Sequence, residues 1–355
     1  MRDHKVDVIV LSWNNKSITK NFVDSFLANT SVATRLIIID NASTDGTQEY
    51  LLGLKDTADC VFKIVLNHVN KGFVGGMNQG ISLTDAPFVC LANNDLLFTP
   101  GWLEEIISVF EGNPDIGLLN PNSNNLGARR ADGQSLELFG LALREEYRGV
   151  FVEMPFCVGF CMFIRREVLN IVGGLSPEFA PFFFEDTDYS LKTLRAGYLA
   201  GLAKGAYVWH QEHASFKLIK KEAEEVFVKN REIFKKKWGN ILRILWIADN
   251  RSDVAAVLKG AIELARNGNY VWFMTGSCII KRDKLFKDAG FCDHSGIKFL
   301  VAKNCLSKVW NIVIKKKRYD VVISNNALIR RVLSVLGYNV LDRYDSIRIE
   351  NIKKA

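Results

Sequence analysis

Acidic residues that end short apolar runs are the first side chains in this sequence that could do chemistry. Asp40 closes Leu36-Ile37-Ile38-Ile39. A carboxylate there can accept a hydrogen bond from a base N–H or a sugar hydroxyl, and an ordinary turn aspartate fits the same position. Asn93-Asn94-Asp95 follows the run Phe88–Leu91. One carboxylate flanked by amide oxygens suits a hard divalent cation that also touches a diphosphate, and a plain turn again fits. Phe182-Phe183-Phe184-Glu185-Asp186-Thr187-Asp188 sets three acids at a helix start beside aromatic rings. Helix capping explains them, and so does a general base, a partly buried carboxylate that removes a hydroxyl proton. His210, after Tyr207-Val208-Trp209, reads as a metal ligand or as a packed strand-end histidine.

The segment from Asn70 to Gly80 is rich in glycine, with Gly72, Gly75, Gly76 and Gly80. These allow close backbone approach and unusual dihedrals. The segment is expected to lead into a helix, whose N-terminus attracts anions. It is neither the GxxxxGK[ST] phosphate loop nor GxGxxG.

Positioning these residues requires strands that end beside one another. Val6–Leu11, Leu36–Ile39, Val61–Leu66 and Phe88–Leu91 read as buried strands, separated by helical patterns. One helix runs through Phe22, Phe26 and Leu27, and another through Tyr50, Leu51 and Leu52 after the turn Ser43–Gly46. Such alternation predicts a mostly parallel sheet with helices on both faces. Ligands of such sheets bind at the carboxyl ends of the strands, where Asn14, Asp40 and Asp95 all fall. Asn120–Glu153 is expected to be a long loop or lid with some strand. Phe156–Ile164 reads as a strand, with a helix from Arg166 ended by Gly173-Gly174. Tyr207–His210 reads as a short last strand, and Lys217–Trp238 as a long charged helix closing a first domain of residues 1–240. In residues 241–355 the strands read are Ile244–Ala248, Tyr270–Thr275, Ile297–Ala302 and Val321–Ser324. Helices are expected at Val254–Arg266, Lys281–Ala289, Leu306–Lys316 and Ala327–Leu336. This describes a smaller doubly wound α/β domain.

The charge is unevenly distributed between the two parts. The chain has 355 residues and a net charge of +7. Residues 241–355 hold 21 basic and 10 acidic residues, while residues 1–240 hold 25 and 29. The basic half includes Lys315-Lys316-Lys317-Arg318 and suggests contact with an anionic membrane surface. It lacks interleaved aromatics or a recognisable module, so no nucleic acid is expected. The seven cysteines form no CxxC and read as small buried hydrophobes. No run approaches the ~18 apolar residues of a membrane span, and no signal peptide is evident. A cytoplasmic protein, peripheral on the inner face of the membrane, is expected.

Taken in order, Val8–Asn14, Ile37–Gly46, Asn70–Gly80, Leu91–Asp95, Phe160–Phe163 with Gly173-Gly174, Phe182–Asp188 and Val208–Phe216 resemble glycosyltransferase family 2 on a GT-A fold. The resemblance covers about residues 6–220. Asn70–Gly80 looks most like the rhamnosyltransferase-like branch. The resemblance implies that Ser12, Trp13 and Asn14 line a nucleotide pocket and that Asp40 binds the base. It sets Asn70, Lys71, Gly72, Asn78, Asn93 and Asn94 beside the nucleotide sugar. Asp95 takes the last position of a metal-binding DxD motif whose first carboxylate is here Asn93. His210 matches a late metal-site histidine, and Mg²⁺ or Mn²⁺ is the implied cofactor. Asp186 is the implied catalytic base, with Glu185 orienting the acceptor. The implied enzyme is an inverting hexosyltransferase that moves a sugar from dTDP or UDP, dTDP-rhamnose first, to an oligosaccharide or lipid-linked glycan of a bacterial surface polysaccharide. A catalytically weak glycan- or nucleotide-binding scaffold and a nucleotidyltransferase are the alternatives. Residues 241–355 distantly resemble half of a GT-B domain.

Overall fold

The computed structural model describes residues 4–211, 220–248, 254–275, 282–302, 309–310, 312–314, 317–343 and 346–354. The chain divides into two compact units. The first is Met1–Phe151 with Phe156–Ile233, and the second is Val152–Pro155 with Phe234–Ala355.

In the first unit β1 (Val6–Ser12), β2 (Thr34–Asp40), β3 (Cys60–Leu66) and β4 (Phe88–Asn93) lie parallel in the order β3-β2-β1-β4. The later strands are β5 (Leu96–Phe98), β6 (Ile116–Asn122), β8 (Cys161–Arg165) and β9 (Leu199–His210), while the short β7 (Phe151–Glu153) has only Phe151 in this unit. Beyond β4 the sheet continues β8-β6-β9-β5. β8 runs antiparallel to both β4 and β6, whereas β9 is parallel to β6. β1 lies between two parallel neighbours with helices on both faces, so it is an almost continuous apolar run.

Helices α1 (Lys16–Asn29), α2 (Thr47–Leu52), α3 (Gly72–Ile81), α4 (Trp102–Gly112), α5 (Leu136–Tyr147), α6 (Arg166–Val172), α7 (Glu185–Arg195) and α8 (Lys220–Trp238) complete the element list up to residue 238. The period-two alternation of β1 divides its side chains between two faces. Val6, Val8 and Val10 share a core with Phe22 and Phe26 of α1 and Trp102 and Phe110 of α4. Ile9 and Leu11 meet α3, whose glycines touch them directly. A Cβ on Gly76 would lie 2.3 Å from Leu11 Cδ1, and one on Gly80 2.3 Å from Ile9 Cγ2. The glycine-rich stretch is therefore the helix itself rather than a loop that leads into one, and two of its glycines let the helix backbone reach the sheet.

Three further expectations are corrected here. Asn120–Glu153 contains α5, capped by Ser135, whose Oγ accepts from Leu138 N. Of Phe156–Ile164 only Cys161–Ile164 is strand, within β8. Asn120, buried in β6, donates to the carbonyls of Val158 and Cys161 and accepts from Val158 N, pinning the preceding residues as a loop. The last strand is also longer than expected, at 12 residues. Cys60, Cys90, Cys157 and Cys161 are free and buried.

The second unit holds a fully parallel sheet of β10 (Arg243–Ile247), β11 (Tyr270–Thr275), β12 (Ile297–Val301), β13 (Val321–Ser324) and β14 (Val340–Leu341), in the order β12-β11-β10-β13-β14. Alternate residues of β10 feed two cores. Ile244 and Trp246 pack with Leu258 and Ile262 of α9 (Val254–Arg266) and Phe286 of α10 (Arg282–Asp288), and Leu245 and Ile247 with Ile312, Ile329 and Leu333. Cores on both faces with this strand order make a doubly wound domain. The helix expected at Leu306–Lys316 lies largely outside the described residues. Helices at Ala327–Val335 and Ser346–Lys354 follow. No described helix is long and apolar enough to cross a membrane.

Candidate active site

Strand register sets the site in line. Ser12 pairs with Asp40, and Leu11 with Asn93, so three strand ends meet along one edge. Asn14 and Asn15 both take left-handed backbone, with φ 54° and 56°, a conformation asparagine tolerates better than most residues. This turns the chain out of β1 so that Asn14 N donates to Ser43 Oγ at 2.7 Å and its Oδ1 accepts from Thr44 N at 2.9 Å. The loops after β1 and β2 are thereby stitched together. Trp13, in the first of these loops, is half-buried.

Asp40 is fully buried. Its Oδ2 accepts from Ser43 N and Gln48 Nε2, while Oδ1 has no donor among the described residues. An acceptor left this way is costly unless something donates to it. Asn41, which the sequence reading passed over, is the hub of this region. Its N–H donates to the Ser12 carbonyl, its Nδ2 to Asn70 Oδ1 and the Gly72 carbonyl, and its Oδ1 accepts from Asn67 Nδ2.

Several residues expected beside the nucleotide have hydrogen-bond partners within the protein. The Ser12 hydroxyl is buried at 3.0 Å from Thr19 Oγ1, which also accepts from Asn94 Nδ2 at 3.0 Å. Asn70 caps Gly72 N. Val74 N donates to the Pro181 carbonyl, so two amides at the start of α3 are already taken. Gly72 itself has φ +69° and leaves no room for a Cβ beside Pro181. Asn78 makes a two-bond amide pair with the backbone of Leu175. Lys71 reaches Gln79 on the same helix.

On the opposite side of the edge, Asp95 Oδ1 stands 3.1 Å from His210 Nε2. The imidazole is fixed from three directions. Its Nδ1 lies 2.9 Å from Asn125 Nδ2, its backbone pairs twice with the Asn124 amide, and its ring stacks on Phe160 with centroids 5.4 Å apart. Cis ligands of an octahedral ion with bonds near 2.1 Å are ~3.0 Å apart. The Asp95–His210 separation therefore fits a shared divalent cation, and a mixed carboxylate–imidazole set suits Mn²⁺ as well as Mg²⁺. Among the described residues His4, Asp7 and Asp85 also converge. Asp7 there already holds Arg35 through both oxygens and accepts the amides of Asp85 and Ala86. That cluster is a structural ion network at the start of β1, away from the strand ends.

Glu185 and Asp186 open α7. Asp186 Oδ2 accepts from Gly159 N at 2.9 Å, and its Oδ1 from Thr187 N and Oγ1. Glu185 is buried, and its Oε2 has no hydrogen-bond partner among the described residues. Burial, and then the Asp186 charge, raise the Glu185 carboxyl well above the usual carboxylate range. Burial also raises Asp186, while donors from Gly159 and Thr187 oppose the rise. Adjacent like charges resist joint ionisation. Asp186, with three donors, is thus the member that carries the charge, and Glu185 the one that keeps a proton. The third acid, Asp188, is structural, taking Ser176 Oγ and Lys192 Nζ.

The loop before α7 is strained. Phe183 and Phe184 have φ of 76° and 70°, which costs ~1–3 kcal/mol for each such residue. Asn230 of α8, fully buried, donates to the carbonyls of Phe179, Phe182 and Phe183, and Phe227 packs on the rings of Phe183 and Phe184. Asn230 was invisible in the sequence as one polar residue in a charged helix.

Residues 7–172 match the family described as Glycosyl transferase family 2. An uncharacterized protein of Sinorhizobium fredii is 24% identical over 225 residues, 59% of this chain and 25% of that protein. An uncharacterized glycosyltransferase of Nostoc sp. is 25% identical over 116 residues, 33% of this chain and 36% of the relative. The chain thus spans about a quarter to a third of the length of these two relatives. The structure of GalNAc-T7 with UDP, GalNAc and Mn²⁺ shares the fold at a TM-score of 0.52 and 12% identity, covering 82% of this chain and 55% of the other.

Proposed function

We propose that the first unit is an inverting, metal-assisted glycosyltransferase. It moves a sugar from a dTDP- or UDP-activated donor, dTDP-rhamnose being the first to test, to a hydroxyl of a growing lipid-linked surface polysaccharide. The observation that carries this reading is the Gly159-Phe160 pair. Its amide holds Asp186 and its ring holds His210, so the proton acceptor and the cation ligands are set by consecutive residues of one loop.

Asp95 and His210 would hold Mg²⁺ or Mn²⁺, whose chemistry there is to offset the charge of a departing nucleoside diphosphate. Asp186 takes the proton of the acceptor hydroxyl as its oxygen bonds to the anomeric carbon. The bond from that carbon to the diphosphate oxygen breaks, and the electron pair leaves with the diphosphate. A single displacement from the opposite face inverts the anomeric centre. The protonated Glu185 lies beside Asp186 to orient the acceptor. Asp40 Oδ1 offers the acceptor that a pyrimidine N–H needs, and because Asp40 is fully covered, a base reaches it only after neighbouring side chains shift.

A thermal-shift screen of nucleotides and nucleotide sugars, with and without Mn²⁺, tests this reading. We expect a UDP- or dTDP-sugar to raise Tm, Mn²⁺ to add to the shift, and His210→Ala to lose only the Mn²⁺ increment. No shift with any nucleotide sugar would count against it. A weak scaffold is favoured by one observation, Asn93 in place of a carboxylate, and predicts a shift without turnover.

A further inference from the structure

Unit 2 leaves unexplained apolar side chains in the open. Trp310 is 66% exposed, Val313 46% and Ile314 56%. On the helix Ala327–Val335, Leu328 is 63% and Val335 83% exposed, while Ile329 and Leu333 are buried on the other face. Leu328, Arg331 and Val335 are spaced i, i+3 and i+7, which places them on one side of that helix. The two segments are neighbours. The Tyr338 hydroxyl donates to the Ile312 carbonyl at 3.4 Å, and Arg318 donates to the Leu336 carbonyl at 2.8 Å with its guanidinium 4.6 Å from the Tyr338 ring centroid.

The charge around these residues has one sign. Between Val309 and Arg343 the sequence has seven basic and two acidic residues. Lys317, Arg318 and Arg331 are exposed. One of the two acids, Asp320, is bonded to Arg243 N.

We propose that this face is an interfacial anchor for an anionic lipid bilayer. Trp310, Val313, Ile314, Leu328 and Val335 enter the headgroup–acyl boundary, and Lys317, Arg318 and Arg331 lie against the acidic headgroups. Bulky apolar side chains beside Lys and Arg are the combination that binds such an interface. A second copy of the chain is the wrong occupant, because a two-fold contact would press one basic cluster against another. A nucleic acid is also wrong, because it would leave Leu328, Val335 and Ile314 in water. The inference deepens the reading of a lipid-linked acceptor. It is nevertheless measured on binding alone, without donor or acceptor, so it can fail while that reading stands.

The test is flotation of the full chain with vesicles of phosphatidylcholine alone and of phosphatidylcholine with phosphatidylglycerol. We expect binding to the mixed vesicles only, weakening as salt rises. Trp310→Ser with Val335→Ser should lower binding about tenfold, and Lys317→Glu with Arg331→Glu should remove the preference for acidic lipid. All four sites are exposed, and an unchanged Tm confirms folding; Leu328→Ser alone is the milder substitute should the apolar pair unfold. No flotation at low salt would overturn the proposal, as would flotation that both pairs leave unchanged. So would a dimer that buries Trp310, or a salt-dependent shift with an oligonucleotide in the absence of flotation.

Discussion

Glu185 and Asp186 are chemically alike and adjacent, yet their surroundings separate them. Asp186 is held as an anion by Gly159 and Thr187, whereas at Glu185 burial and the neighbouring negative charge outweigh the backbone amides of Glu185 and Phe183. The consequence for stability has a definite sign. Native Glu185 keeps its proton up to about 8, while an unfolded glutamate loses it near ~4.3. Between those values the native state binds more protons, so stability falls as pH rises through the window. Urea midpoints of the wild type should therefore drop between about pH 5 and about pH 8, and Glu185→Gln should flatten that slope; parallel slopes would show that Glu185 is ionised throughout. The acids of this site were legible because carboxylates at strand and helix ends stand out against apolar runs. Asn41 and Asn230 were not, because their importance lies in carbonyls and amides that only the fold brings near them.

At the scale of elements, buried parallel strands declare themselves, and the first four strands were read to within two residues. Glycines were harder. In α3 they suggested the lead-in to an anion-attracting helix start, but Gly76 and Gly80 are there for contact with Leu11 and Ile9. Gly80→Ala should cost about 1–3 kcal/mol by overpacking against Ile9, read as a lower chemical-denaturation midpoint. In α5 Gly140 hid a helix, together with Leu138 and Leu141, which are exposed and blur its apolar stripe. A Cβ on Gly140 would sit 2.5 Å from Thr99 Oγ1, so the residue that looked like a loop signal is a packing requirement. The Phe182–Phe184 loop is held in strained backbone by Asn230. Asn230→Ala removes the amide that these three carbonyls share, at about 1–3 kcal/mol in all. It should reduce turnover more than donor binding, because the loop sets Glu185 and Asp186 rather than the strand-end loops. Equal losses in both would contradict that division.

For the molecule as a whole, the unequal charge of the two halves acquires a structural sense. The acidic half holds the Glu185–Asp186 and Asp95–His210 pairs, and the basic half presents an apolar, cationic face. The segment Val152–Pro155 is part of the second unit although it lies in the middle of the first by sequence. Buried Glu153 is bound there by Arg266 through both oxygens, at 2.5 and 2.9 Å. Glu153→Ala should destabilise that unit by roughly 1–3 kcal/mol, less than a fully buried pair because Arg266 is partly exposed and regains water; differential scanning calorimetry would show it. No local pattern could disclose that insertion, since it joins residues more than a hundred positions apart. The central claim is that Asp186 is the base of a sugar transfer. Its most direct test is release of nucleoside diphosphate from the donor that binds, compared between wild type and Asp186→Asn. The account predicts a fall of ~10²–10⁴-fold with the donor thermal shift unchanged, and turnover near the wild-type rate in Asp186→Asn would contradict it.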